Sequence, residues 1–207
     1  MKKTMLLILL SIFALALFAQ AAKDEALQSL ENAKNLIEQK NYVKAQDEIN
    51  FALSKLSELL AEDLLKFIPD APTGWKQDDK SSAGLGQAGA FMGSANAITA
   101  KGEYSKGDDN SVTLTISVGG MLGKTAGFMG LGALMGGSTS GNQNSKSIRI
   151  AGYTGTNEYN IEDKDGNLSL QVGEKVSVSI QGNNLENAEV LKAFANKIDL
   201  AKLEKAF

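Results

Sequence analysis

SVTLTISV, residues 111–118, decides the fold. Val112, Leu114, Ile116 and Val118 alternate strictly with Thr113, Thr115 and Ser117. A period of two places the first set on one side of an extended chain and the hydroxyls on the other, the pattern of a strand with one buried face. The same period recurs at Ile98, Ala100 and Tyr104, at Ile148 and Ile150, at Tyr159 and Ile161, at Leu168, Leu170 and Val172, and at Val176, Val178 and Ile180. These six segments are separated by turn chemistry such as SKGDDNS, EDKDGN and VGEK, short connections that suit antiparallel hairpins. The expected sheet therefore has about six antiparallel strands. Its second face is lined by Thr113, Thr115, Ser117, Ser169, Gln171, Ser177 and Ser179.

Downstream of the strands the period returns to that of a helix. Leu191, Phe194, Ala195 and Ile198 form one apolar stripe, with Asn183 and Glu186 spaced as a capping box. Asp199 is placed to cap a short final helix containing Leu203 and Phe207. A helix here should cover the apolar face of the sheet. The fold class is α+β.

Upstream, residues 23–66 read as two amphipathic helices. Leu27, Leu30, Ala33 and Ile37 share one face; Val43, Ala45, Ile49, Ala52, Leu53, Leu56, Leu59, Leu60 and Leu64 follow after a break at Asn41. A short turn between them makes an antiparallel hairpin. Residues 67–82, FIPDAPTGWKQDDKSS, hold both prolines and the single Trp, and read as a linker to a domain spanning 83–207. Trp75 suits either the edge of the second domain's core or a stacking contact with a ligand.

The first 22 residues follow the three-part layout of a secretory signal peptide: Lys2 and Lys3, an uncharged apolar run from Met5 to Ala19, and small residues in Ala19-Gln20-Ala21. Retention as an anchor is the other reading. Cleavage removes two lysines and no acid, taking the formal charge from −3 to −5. An acidic chain without a basic cluster does not suit nucleic acid. With no Cys there are no disulfides; with no His there is no imidazole base or metal ligand. No catalytic, metal or cofactor constellation is legible, and the expectation is a non-enzymatic protein, periplasmic or secreted.

The glycine-rich run VGGMLGKTAGFMGLGALMGG, residues 118–137, carries three readings. A phosphate loop would need glycine five residues before Gly123, where Val118 stands. Membrane contact is suggested by Gly119, Gly123 and Gly127 at small-xxx-small spacing, but nine glycines between Gly119 and Gly141 make a poor helix. The favoured reading is a small-residue flap, 119–141, over the hydroxyl face of the sheet, paired in texture with GLGQAGAFMGSANA at 84–97. Its larger side chains, Phe91, Met92, Met121, Phe128, Met129, Leu134 and Met135, are with Trp75 the candidate contacts for a partner or ligand. EDKDGN lacks oxygen donors at the first and twelfth positions of a calcium loop, Ile161 and Val172, and reads as a hairpin turn.

Two resemblances add to this. ALQSLENAKNLIEQKNYVKAQDEINFALSKL resembles one tetratricopeptide-type unit, with Ala33, Leu36, Tyr42, Ala45, Ala52 and Leu53 at matching positions. That resemblance implies a hairpin that binds another protein or packs on a neighbouring domain. The order from the Trp75 segment through IRIAGYTGTNEYNIEDKDGNLSLQVGEKVSVSIQGNN to the terminal helix is similar to the PsbP-like α/β/α sandwich, whose members are mostly adaptors or assembly factors. The whole chain is also similar to bacterial secreted proteins of unassigned activity. Together they imply an adaptor engaging a protein of the bacterial cell envelope through the hairpin or the flap. The alternatives are a carrier of a small apolar ligand or lipid with the flap as lid, or membrane contact through 119–137.

Overall fold

Alanine spaced by seven builds the first part of the molecule. The computed structural model describes residues 2–84, 97–119 and 145–207, with side chains in the first helix from Gln20 onward. Helix α1 (Lys2–Glu38) and helix α2 (Tyr42–Leu65) are joined by a three-residue turn. In that turn Lys40 takes a left-handed conformation, and the Asn41 N–H donates 2.8 Å to the Leu36 carbonyl, closing the end of α1. The helix starts well before residue 23 and runs through the apolar run Met5–Ala19 without a break. The chain divides into two compact units, Met1–Leu60 and Ala61–Phe207.

In the first unit Ala26, Ala33, Ala45 and Ala52 are each at most 3 % exposed, with Ser29 beside them. A seam of such small side chains lets two helices approach closely. The ion pair of Lys55 with Glu25, 3.1 Å, sets the antiparallel register. At 1.5 Å per residue it brings Ala26 about level with Ala52 and Ala33 about level with Ala45.

The second unit is a seven-stranded sheet in which every neighbouring pair is antiparallel, in the order β1-β2-β3-β7-β6-β5-β4. The strands are β1 (Lys76–Ala83), β2 (Ala97–Lys106), β3 (Asn110–Gly119), β4 (Ser145–Ile150), β5 (Tyr153–Asn160), β6 (Asp165–Val172) and β7 (Val176–Asn183). Two short helices, α3 (Glu189–Ala195) and α4 (Leu200–Ala206), follow. The register stacks the alternating residues into rows: Leu114 beside Ile180 beside Leu168, and Ile116 beside Val178 beside Leu170. All six are at most 2 % exposed. Leu191, Phe194, Leu200 and Leu203 from the helices, with Leu64 and Ile68 from the end of α2 and the segment after it, complete this core.

The seventh strand is the main departure from the expected six. Lys76–Ala83 reads as linker because no residue in it alternates; it is an edge strand, exposed along nearly its whole length, so no apolar period is required of it. Its pairing with β2 carries a bulge between Gln77 and Asp79. Ile161 is not a strand residue but sits 76 % exposed in the turn after β5. That turn, EDKD, is held by the Asn160 side-chain oxygen, which accepts from the Glu162 N–H at 2.9 Å.

The first C-terminal helix is shorter than its apolar stripe, ending at Ala195 with Ile198 in the bend that follows, and the expected short final helix comes after it. The expected capping box does not form, since Asn183 ends β7 and Glu186 instead pairs with Lys106 at 2.7 Å. The N-cap, Ala188, offers no side-chain acceptor, and the Asn187 side chain before it accepts from the Glu189 N–H at 2.9 Å. Asp199 does cap α4, accepting from the Lys202 N–H at 3.0 Å.

Candidate functional site

Once the alanine seam is closed, the large aliphatic side chains of the hairpin are left outside it. Leu27, Leu30 and Ile37 on α1, and Ile49, Leu53, Leu56 and Leu60 on α2, are 38–56 % exposed. The period of three and four picks out apolar stripes, but each helix has two of them side by side. The inner one is the alanine stripe, because its small side chains permit the closer approach.

Helical geometry puts both outer stripes on the same side of the pair. Positions 27, 30 and 37 lie roughly 40–110° round α1 from its alanines, and positions 49, 53, 56 and 60 lie roughly 30–90° round α2 in the same sense. Because the helices are antiparallel, these rotations point the same way. The opposite side is a polar groove lined by Glu25, Gln28, Ser29, Asn32, Asp47, Glu48 and Phe51. There Lys55 bonds Glu25 and Glu58, which hold its ammonium above the ordinary value, and lies 5.5 Å over the Phe51 ring. One face of the hairpin is therefore charged and one is a ridge of aliphatics. At about 25 cal/mol per Å2, covering a few hundred Å2 of such surface is worth on the order of 10 kcal/mol before the costs of association.

The outer rim of that ridge on α1 carries Asp24, Glu31 and Glu38, all exposed. The ridge itself is interrupted by Lys34, paired with Glu31 at 3.1 Å, and by Gln46.

The second unit offers a different surface. The sheet face turned away from the helices carries Thr113, Thr115 and Ser117, then Ser177, Ser179 and Gln181, then Asn167, Ser169 and Gln171, in register across β3, β7 and β6. At one end lies an open hollow of about 710 Å3 lined by Glu158, Asn160, Glu162, Asp165, Asn167, Gln181 and Asn183 among others. Among the described residues no three metal-binding side chains gather closely enough to hold an ion. Among the described residues no helix is long and apolar enough to cross a membrane.

Of the candidate contact residues read from the sequence, Trp75 stands against the core, its ring 5.2 Å from that of Phe194 and nearly perpendicular to it at 81°. Phe91, Met92, Met121, Phe128, Met129, Leu134 and Met135 lie outside the described residues, as does nearly all of the flap 119–141. The aliphatic ridge was not singled out by sequence reasoning. Its signal was present as the second stripe, Leu27, Leu30 and Ile37, beside the alanines.

No family model matches the chain, and neither a characterised protein nor a solved structure matches it.

Proposed function

We propose that this chain is a non-enzymatic binding or adaptor protein of the bacterial cell envelope, which engages a protein partner through the aliphatic ridge of its helical hairpin. The observation that carries this reading is the row Leu27, Leu30, Ile37, Ile49, Leu53, Leu56 and Leu60, left 38–56 % exposed on one side of a two-helix layer whose own seam is alanine. Contiguous aliphatic surface of this extent marks an interaction site. A helical layer with an apolar face is also the shape used to receive another helix. The resemblance of the hairpin to a tetratricopeptide-type unit and of the remainder to a PsbP-like sandwich supports the same class of role, and the signal-peptide layout of residues 1–22 supports a site of action outside the cytoplasm.

Site-specific photo-crosslinking tests the reading. A photoreactive residue replacing Leu53 is expected to trap a defined envelope protein in living cells, while one replacing Asn32 in the polar groove is not. Equal yields from both sides of the hairpin would count against it. A phosphatase fusion after residue 207 that stays inactive would remove the envelope assignment.

A further inference from the structure

We infer that the partner that covers the aliphatic ridge is a second copy of this chain, the two hairpins meeting face to face as a symmetric four-helix layer pair. This rests on the reading of the ridge as a docking surface and names its occupant.

The side chains are distributed for two layers. A lone hairpin would be expected to put its large residues between its own helices. Here that seam is mostly Ala26, Ser29, Ala33, Ala45 and Ala52, with Leu36 and Leu59 partly buried toward its ends, while Leu27, Leu30, Ile37, Ile49, Leu53, Leu56 and Leu60 are left exposed. On α2 the outward positions 42, 49, 53, 56 and 60 are spaced by seven, four, three and four. That is the heptad spacing with which one helix packs against another at a shallow angle. α1 repeats it at 27, 30, 34 and 37. Each helix thus has one seam satisfied within the chain and a second seam open, the requirement for a helix in a four-helix bundle.

The area fits a twofold pair. Seven side chains about half exposed amount to on the order of 600 Å2 per copy, and roughly 1,200 Å2 for two, before the rim is added; specific interfaces bury about 1,200–2,000 Å2 in total. Closed twofold pairing is also the commonest way for one patch to cover itself. Lys34 and Gln46 stand at interior heptad positions. A polar residue at such a place restricts register, which favours one defined alignment over sliding contact. The other occupant for an apolar helical face is a bilayer. The rim of Asp24, Glu31 and Glu38 opposes it, because an anionic surface repels acidic side chains where interfacial helices carry basic ones.

The test is sedimentation velocity of the full purified protein across micromolar concentrations. A dimer is expected, and Leu27→Gln combined with Leu53→Gln is expected to halve the apparent mass. Both side chains are more than half exposed, so helical circular dichroism should be unchanged. The chain has no Cys, so single cysteines report contact directly. Oxidation should give disulfide-linked dimers from Leu30→Cys or Leu53→Cys and none from Asn32→Cys. A wild-type monomer at every concentration overturns the inference, as does a dimer that the double variant leaves intact. Flotation of the protein with vesicles of phosphatidylethanolamine and phosphatidylglycerol, lost in the double variant, would assign the ridge to a membrane instead. A monomer whose position 53 still crosslinks to one envelope protein would remove the dimer and leave the adaptor reading standing; a monomer that crosslinks to nothing would remove both.

Discussion

The phenolic oxygen of Tyr104 donates a 2.6 Å hydrogen bond to the carbonyl oxygen of Pro69, 35 residues earlier in the chain. Tyr104 is 1 % exposed near the end of β2, and its ring lies 4.8 Å from that of Phe194. One side chain thus ties the segment leading out of α2 to the sheet and to α3. Burial pushes its phenol up to about 12 from the ordinary 10.0.

An alkaline limit to stability follows. The unfolded chain loses the phenolic proton near its ordinary pKa, while the folded chain holds it to about 12. The stabilisation is therefore complete below the unfolded value and falls as pH rises through that window, by up to about 1.4 kcal/mol per pH unit. Urea unfolding at pH 9 to 12 should show the fall, and Tyr104→Phe should flatten it. At neutral pH that variant should lose about 1–2 kcal/mol, because the Pro69 carbonyl is left without its donor.

Gly155 cannot carry a side chain. A Cβ there would overlap the backbone carbonyl of Ser169 on the neighbouring strand and press on the Leu170 side chain. Backbone on backbone cannot be relieved by a rotamer change, so Gly155→Ala should force β5 and β6 apart and cost about 3 kcal/mol or more. Urea titration of the variant measures it. Gly107→Ala is the contrasting case: nothing lies near its Cβ position, and the only penalty is the left-handed backbone, φ +67°. A loss of about 1 kcal/mol is expected there.

The hairpin should fail by overpacking rather than by loss of charge. Ala33→Leu inserts three carbons into a seam where Ala33 is 3 % exposed, and should cost about 1–3 kcal/mol in the thermal melt followed by helical circular dichroism. Glu31→Ala, which removes the exposed pair with Lys34, should change the same melt by no more than about 0.5 kcal/mol.

The last helix depends on a single cap. Asp199→Ala leaves the Lys202 N–H without its acceptor and should lower stability by about 1 kcal/mol, while Asp199→Asn should retain most of it, since the amide oxygen can accept in the same place. Equal losses in the two variants, measured by urea titration, would mean that the charge rather than the hydrogen bond matters.

The candidate site was less legible than the fold. The strands whose one face is buried, β3, β6 and β7 above all, announce themselves because alternation is a direct consequence of the pleat. β1 has no such face and left no period to read. On the hairpin, Leu27, Leu30, Ala33 and Ile37 look like one stripe at single-helix level, yet Ala33 is buried and the other three are exposed. Spacing reports which residues share a side of a helix; it does not report which side meets the neighbour. The candidate contacts in the two glycine-rich segments rest on size and polarity alone and lie outside the described residues; Trp75, the remaining candidate, belongs to the linker and packs against the core.

Composition, period and turn chemistry alone determined the order of elements: a helical pair, then antiparallel strands with a hydroxyl face and an apolar face, then a helical cover capped at Asp199. These are properties of one segment at a time, set by local geometry. Tertiary structure alone decided that β3 pairs with β7, bringing Leu114 beside Ile180 across 66 residues of chain, that a charged linker becomes an edge strand, and that alanines rather than leucines close the hairpin. Each of these is a choice among neighbours. It is settled by how closely two surfaces can approach, and that lies in neither surface taken singly.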